Sequence, residues 1–191
     1  MRVWIDISDT KHISLYKGVI FELIKRKNKI FITSYDDPEI IQALQNEKIV
    51  VNPIEKKISF FGLFEERFTM QRTGALLHYI KPANIDIIFS LGSSELIFSC
   101  IRLNIKIATL TDSHNCDKLH WIYYCFNNSY IIVPEGIPID RLTKRGLNEL
   151  ERIISLPTGF KNDISKFGVN EVKEIADSIE LINQKIRKVS I

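Results

Sequence analysis

Six short runs rich in Ile and Val, RVWIDIS, KIFITS, IVVNPI, IDIIFSL, IKIATLTD and YIIVPE, recur along the chain. Longer segments with apolar residues at helical spacing separate nearly all of them. This repeated β-α rhythm is the strongest constraint on the fold. Strands buried on both faces read as continuous apolar runs, and crossover helices make them parallel. The expected class is α/β: a single open doubly wound, Rossmann-like parallel sheet of about six strands, ordered 3-2-1-4-5-6, with helices on both faces. At 191 residues and 45% hydrophobic, the chain is long enough for one domain with a full core and too short for two ordinary ones.

In the first helical segment Ile13, Tyr16, Val19, Ile20, Leu23 and Ile24 share one face, and Lys17, Glu22, Lys25 and Arg26 fall elsewhere. That pattern predicts a helix packed on a sheet. Further helices are expected at about 37–46, 62–80, 94–103, 117–126 and 139–146. The final segment, EVKEIADSIELINQKIRKV, sets Val172, Ile175, Ala176, Ile179, Ile182, Ile186 and Val189 along one stripe of a long amphipathic helix. PIEKKISFFG has weak periodicity and is expected to be an exposed, mobile loop, in which Lys56 and Lys57 read as solvated.

Twenty-six basic and 23 acidic residues leave a net charge of +3, interspersed along the chain, so no tail or stripe points to nucleic acid. Cys100, Cys116 and Cys125 are odd in number and lack close paired spacing, which reads as reduced thiols of a cytoplasmic protein. The amino terminus runs into a strand pattern rather than a signal peptide, and no stretch reaches ~18 uncharged apolar residues. A soluble, unprocessed protein without an integral membrane segment is expected. No G-x-G-x-x-G follows the first strand, and neither G-x-x-x-x-G-K-[ST] nor G-x-S-x-G occurs. This disfavours NAD, FAD, P-loop hydrolysis and α/β-hydrolase chemistry, and no cofactor is expected.

In an open parallel sheet, ligands bind beyond the carboxyl ends of the strands where strand order reverses, here between the first and fourth strands. Three loops are selected: ISDTKH, LGSSE and TDSHNCD. They gather Asp6, Ser8, Asp9, His12, Gly92, Ser93, Ser94, Asp112, Ser113 and His114, while the rest of the sheet is mostly aliphatic. Gly92 permits close backbone approach, Ser93 or Ser94 can cap the following helix, and free amides there suit a phosphate or carboxylate. Ser93 and Ser94 are more often plain helix caps than ligand contacts, and Asp9 also reads as a cap.

An ionised carboxylate inside an apolar central strand costs several kcal/mol unless paired or hydrogen-bonded. Asp6 is therefore either a structural acid bonded to loop amides or a ligand-facing group. His12, near a helix start, faces the positive end of the dipole, which favours a neutral imidazole suited to acid–base work near pH 7. A His that only packs over the first turn is the other reading, and His114 carries the same pair. Cys116 and His120 stand at i and i+4 near Asp112 and His114, but the spacing matches no zinc signature, so no metal is expected. His78 and His120 read as packing or solvent residues, and Trp121, Tyr123, Tyr124 and Phe126 as core and sheet cover.

MRVWIDISDTKH, KPANIDIIFSLGSSE, TLTDSHNCDKLH and YIIVPEGIP together resemble a prokaryotic family of unknown function related to GT-B glycosyltransferases and UDP-N-acetylglucosamine 2-epimerases. The similarity runs in order over residues 1–160. The resemblance implies two Rossmann-like domains facing across a cleft, the amino-terminal one supplying acceptor or catalytic groups and the other gripping a nucleotide diphosphate. It places His12, Ser93, Ser94, Asp112 and His114 on the cleft lining. The family usually has prolines before its first-loop His, where this chain has Thr10 and Lys11, and a glycine-rich loop after its third strand, where this chain has EKKISFFG.

A complete two-domain member would be about twice this size. The expectation is therefore a GT-B amino-terminal-type domain over 1–160, followed by a short connection and a helix within 161–191 that packs back on it. Two functional readings follow. One is the acceptor-side half of a glycosyltransferase, less favourably of an epimerase, acting with a second subunit that binds the nucleotide sugar; His12 or His114, with Asp112, would be catalytic. The other is a non-catalytic ligand-binding or regulatory module that holds a sugar nucleotide or phosphate-bearing ligand, as a monomer or homodimer. A degenerate, purely structural fragment is a third and weaker reading.

Overall fold

The computed structural model describes residues 1–55, 65–111, 128–135, 152–159 and 167–189. The strands β1 (Arg2–Ile7), β2 (Lys29–Ser34), β3 (Asn52–Pro53), β4 (Ile87–Ser90), β5 (Lys106–Leu110), β6 (Ser129–Glu135) and β7 (Ile153–Gly159) form one sheet in the order β3-β2-β1-β4-β5-β6-β7. Every pairing is parallel. The doubly wound topology and the reversal between β1 and β4 are as expected.

The strand count is seven rather than about six. In β7, Ser155, Pro157 and Thr158 interrupt the apolar run, and a strand that among the described residues pairs with β6 alone can carry a proline. At the other edge the apolar run IVVNPI pairs through Asn52 and Pro53 alone, and Val50 is exposed.

Alternation along β1 feeds two cores. Val3, Ile5 and Ile7 pack with α1 (Ile13–Lys25), α2 (Pro38–Asn46) and α5 (Val169–Val189). Trp4 faces the other side, with α3 (Glu65–Ile80) and α4 (Ser94–Leu103), among Leu76, Ile80, Ile88, Leu96 and Ile107. Asp37 caps α2, its side chain accepting from the Glu39 amide at 2.9 Å, and Pro38 occupies the first helical position, where its missing N–H costs nothing. On α1 the buried face includes Leu15, whereas Ile24, expected inside, is half-exposed. The helices expected at 117–126 and 139–146 and the segment KKISFFG lie outside the described residues. No helix among the described residues is long and apolar enough to cross a membrane.

The amphipathic stripe of α5 buries Ile175, Ala176, Ile179 and Ile182 against α1 and the sheet. Arg26, just past the end of α1, fastens this contact. Its guanidinium donates to Glu22 at 2.9 Å, Asp177 at 2.5 Å and Glu180 at 3.2 Å, and Asn28 also donates to Glu180, at 2.9 Å.

The helices approach closely at Gly18, where an added Cβ would lie 2.8 Å from Val172 Cγ2. Overpacking such a contact costs about 1–3 kcal/mol. Gly18→Val is therefore expected to lower the thermal midpoint by several degrees. An unchanged midpoint by differential scanning calorimetry would show that α1 and α5 do not meet as described.

Candidate functional site

The carboxyl ends of β1, β2 and β4 surround a buried polar network that begins at Asp6. Thr33 of β2 lies in register with Asp6. Its hydroxyl donates to Asp6 Oδ1 at 2.6 Å and accepts from Trp4 Nε1 at 2.9 Å. Arg72 enters from α3, with Nη1 and Nη2 donating to the two Asp6 oxygens at 2.8 Å each. Arg72 Nε also donates to the Ile54 carbonyl at 3.3 Å. Asp6 is 1% exposed and Arg72 2%, so this is an enclosed, bidentate ion pair. The carboxylate is satisfied by a guanidinium and a hydroxyl, not by loop amides.

The network continues toward α4. The Arg72 guanidinium lies 3.8 Å from the Tyr35 ring centre, a cation–π contact. Tyr35 donates its hydroxyl hydrogen to Glu95 Oε1 at 2.6 Å, and Ser93 donates to Glu95 Oε2 at 3.0 Å. Burial, and then the bond to Glu95, raise the Tyr35 phenol above its ordinary range. Burial alone would raise the Glu95 carboxyl too. The hydrogen bonds from Tyr35, the backbone and Ser93, together with the Arg72 charge, outweigh burial and hold it below its usual value. An ionised carboxylate, 7% exposed, therefore sits in the first turn of α4, where the helix dipole favours it.

The LGSSE turn is tied to the same network. Gly92 has φ +108°, a conformation that side chains rarely adopt. The turn directs the Gly92 and Ser93 amides back onto Ser90 Oγ, each at 3.0 Å. Ser93 is the N-cap of α4, accepting from the Leu96 amide at 3.4 Å, and Ser94 is the first helical residue. The Gly92, Ser93 and Leu96 amides thus have partners inside the protein.

Across the switch point, Asp9 Oδ1 accepts from the Lys11 amide at 2.9 Å, an Asx turn ahead of the helix. Asp9 is not the helix cap: His12 holds that position, buried, with its carbonyl accepting from the Tyr16 amide at 3.0 Å and no side-chain capping bond. Ser8 is half-buried beside it. Asp112, Ser113, His114, Cys116 and His120 lie outside the described residues. His78 is exposed on α3. Cys100 donates to the Ile105 carbonyl, and burial pushes its thiol up to about 12, which makes it unreactive. Among the described residues no cluster of His, Cys, Asp or Glu could hold a metal ion.

Sequence reasoning missed Thr33, Tyr35, Arg72 and Glu95. The one available signal was Asp6 itself, which demanded a cation without saying which of 26 basic residues would supply it.

Comparison with solved structures finds MurG from Acinetobacter baumannii, at 10% identity and a TM-score of 0.62, over 84% of this chain and 46% of that one. It also finds a putative UDP-N-acetylglucosamine 2-epimerase from Listeria monocytogenes, at 11% and 0.63, over 80% of this chain and 43% of that one. The 2-epimerase from Neisseria meningitidis, bound to UDP-GlcNAc, matches at 14% and 0.62, over 81% and 45%. At such identities the likeness is one of fold, and it is the Rossmann-like, GT-B-related fold that the resemblance implied. The chain spans less than half the length of these proteins. No protein-family model and no curated protein matches it.

Two predictions follow from the network. Thr109 of β5, in register with Ser90, is 3% exposed and its hydroxyl has no hydrogen-bond partner among the described residues. Thr109→Val is expected to raise stability by about 1 kcal/mol in urea denaturation, and a clear loss would show that the hydroxyl is satisfied. Glu95 stabilises the fold as a carboxylate held below its ordinary value of 4.5, so its contribution is full above that pH and lost as pH falls through the folded value. Glu95→Gln should cost about 1–3 kcal/mol at neutral pH, with a deficit that shrinks in acid. A deficit independent of pH would contradict this.

Proposed function

We propose that this chain is the acceptor-side half of a GT-B-like glycosyltransferase, or of a related sugar-nucleotide-modifying enzyme, and acts with a second subunit that supplies the nucleotide-sugar-binding domain. One observation carries the reading. A seven-stranded sheet, with a buried core on each face, aligns with less than half of proteins that include a 2-epimerase bound to UDP-GlcNAc. Residues 1–160 form the acceptor-side domain in this reading, and α5 is a returning helix kept beside it. The protein works in the cytoplasm.

The switch point between β1 and β4 is where this reading places the reaction. His12, buried at the start of α1, is the candidate base, with His114 and Asp112 expected from the third loop. In this reading Ser8, Asp9 and the Gly92–Ser94 turn are the candidate ligand contacts. A general base of this kind takes a proton from the attacking hydroxyl as its oxygen bonds the anomeric carbon of the nucleotide sugar, while the bond from that carbon to the diphosphate breaks and the nucleoside diphosphate leaves.

Native mass spectrometry of the protein, purified gently from its own host, tests the reading. A stoichiometric second chain of about domain size, on the order of 20 kDa, is expected. A lone chain or a homodimer would overturn the split enzyme and favour a non-catalytic binding module.

A further inference from the structure

The face of the sheet covered by α3 and α4 carries an apolar groove that the proposed reaction does not use. The groove lies between the two helices, holds about 250 Å³, and is lined on α3 by Met70, Gly74 and Leu77 and on α4 by Phe98, Ile101 and Arg102. Within each helix these residues stand three, four or seven apart, so each helix presents one continuous edge to the groove. Met70 is 67% exposed, Phe98 37% and Ile101 39%, which leaves large apolar side chains facing solvent along both edges. Gly74 makes the hollow between them. A Cβ built there would meet nothing within 4 Å, so the floor is open at the one position where any other residue type would begin to fill it.

Burying apolar surface favours covering such a face, and its charges select what covers it. Arg102, exposed in the last turn of α4, is the one charged residue in the lining, and no carboxylate lines the groove. Glu95, at the other end of α4, is buried and already accepts from Tyr35 and Ser93. A second copy packed by a two-fold would bring the same lining, and so no acid, to Arg102. A bilayer surface is met by protruding apolar side chains among several cations, whereas this face sets one cation beside a hollow. A concave apolar seat with a lone cation at its rim fits a side chain that projects from a partner and carries an acid beside it.

We propose that the groove docks an amphipathic helix with an acidic rim, supplied, on the split-enzyme reading above, by the second subunit. One aliphatic side chain of that helix enters the hollow over Gly74, its neighbours a turn away cover Phe98 and Ile101, and a carboxylate meets Arg102. Recognition of this kind reads anchors at helical spacing. The buried anchor carries most of the affinity, and the rim charge sets partner choice and orientation.

Two synthetic helices of about 20 residues test this, identical in their leucine stripe and flanked by Glu in one and Lys in the other. Binding to the full-length protein is read by fluorescence anisotropy and located by amide chemical shifts at constant ionic strength. The Glu-flanked helix is expected to bind at least about tenfold more tightly than the Lys-flanked one and to shift amides within 70–77 and 98–102. Gly74→Leu fills the hollow and favours helix, so it is expected to keep its thermal midpoint while binding at least about tenfold more weakly. Arg102→Glu is expected to reverse the preference between the two helices. Equal binding of both helices, shifts confined to other residues, or unimpaired binding by Gly74→Leu would overturn the proposal. So would retention on phosphatidylglycerol vesicles that the Glu-flanked helix does not displace, which assigns the face to a membrane, or a homodimer broken by Gly74→Leu, which assigns it to a second copy. A second chain that stays bound to Gly74→Leu would overturn the docking site and leave the split enzyme standing. Absence of any second chain would end the split enzyme and leave the preference of the groove for an acidic helix intact.

Discussion

A carboxylate in the middle of a parallel sheet has nowhere to find water, and the ion pair between Asp6 and Arg72 is how this fold resolves that. A single buried charge costs several kcal/mol, whereas a bidentate pair with its remaining lone pairs satisfied is tolerable. Thr33 supplies the extra donor, and Trp4 in turn donates to Thr33, so the apolar face of β1 closes around the pair. Because Arg72 must reach β1 from α3, the pair also sets where α3 lies against the sheet. Tyr35 covers the guanidinium, Glu95 accepts from Tyr35, and Ser93 donates to Glu95 while capping α4. One awkward residue in β1 is thereby connected to the turn after β4.

This linkage explains the character of the carboxyl edge. The side of the switch point facing α3 and α4 is filled by side chains that satisfy one another. The side facing α1 carries half-buried Ser8, exposed Asp9 and buried His12.

Much of the architecture was legible because it depends on local pattern. The Ile and Val runs of β1, β2, β4, β5 and β6, and the stripe of α5, record burial directly in residue order. Strand order followed from the topology rule, including the reversal between β1 and β4. The edges were less legible: β7 is broken by Pro157, and the third apolar run spends most of its length outside the sheet. Ser93 was legible as one of two candidate caps, but Asp9 was misassigned because an Asx turn and an N-cap use the same residue type. The network was illegible for a different reason. Asp6 and Arg72 are 66 residues apart, and Tyr35 and Glu95 are 60 apart. No spacing rule reaches that far, and only the packed fold brings them together.

The central physical claim is that the Asp6–Arg72 pair organises the whole carboxyl edge rather than merely neutralising itself. The most direct measurement is a double-mutant cycle with Asp6→Asn and Arg72→Met, read by denaturation and by hydrogen exchange of the Gly92 and Ser93 amides. The account predicts that each single change costs about 3–5 kcal/mol. The double change should cost less than the sum by about 1–3 kcal/mol, with faster exchange at both amides in every variant. Additive losses, with unchanged exchange at Gly92 and Ser93, would show that the pair is an isolated feature of β1 and that the turn holds its shape without it.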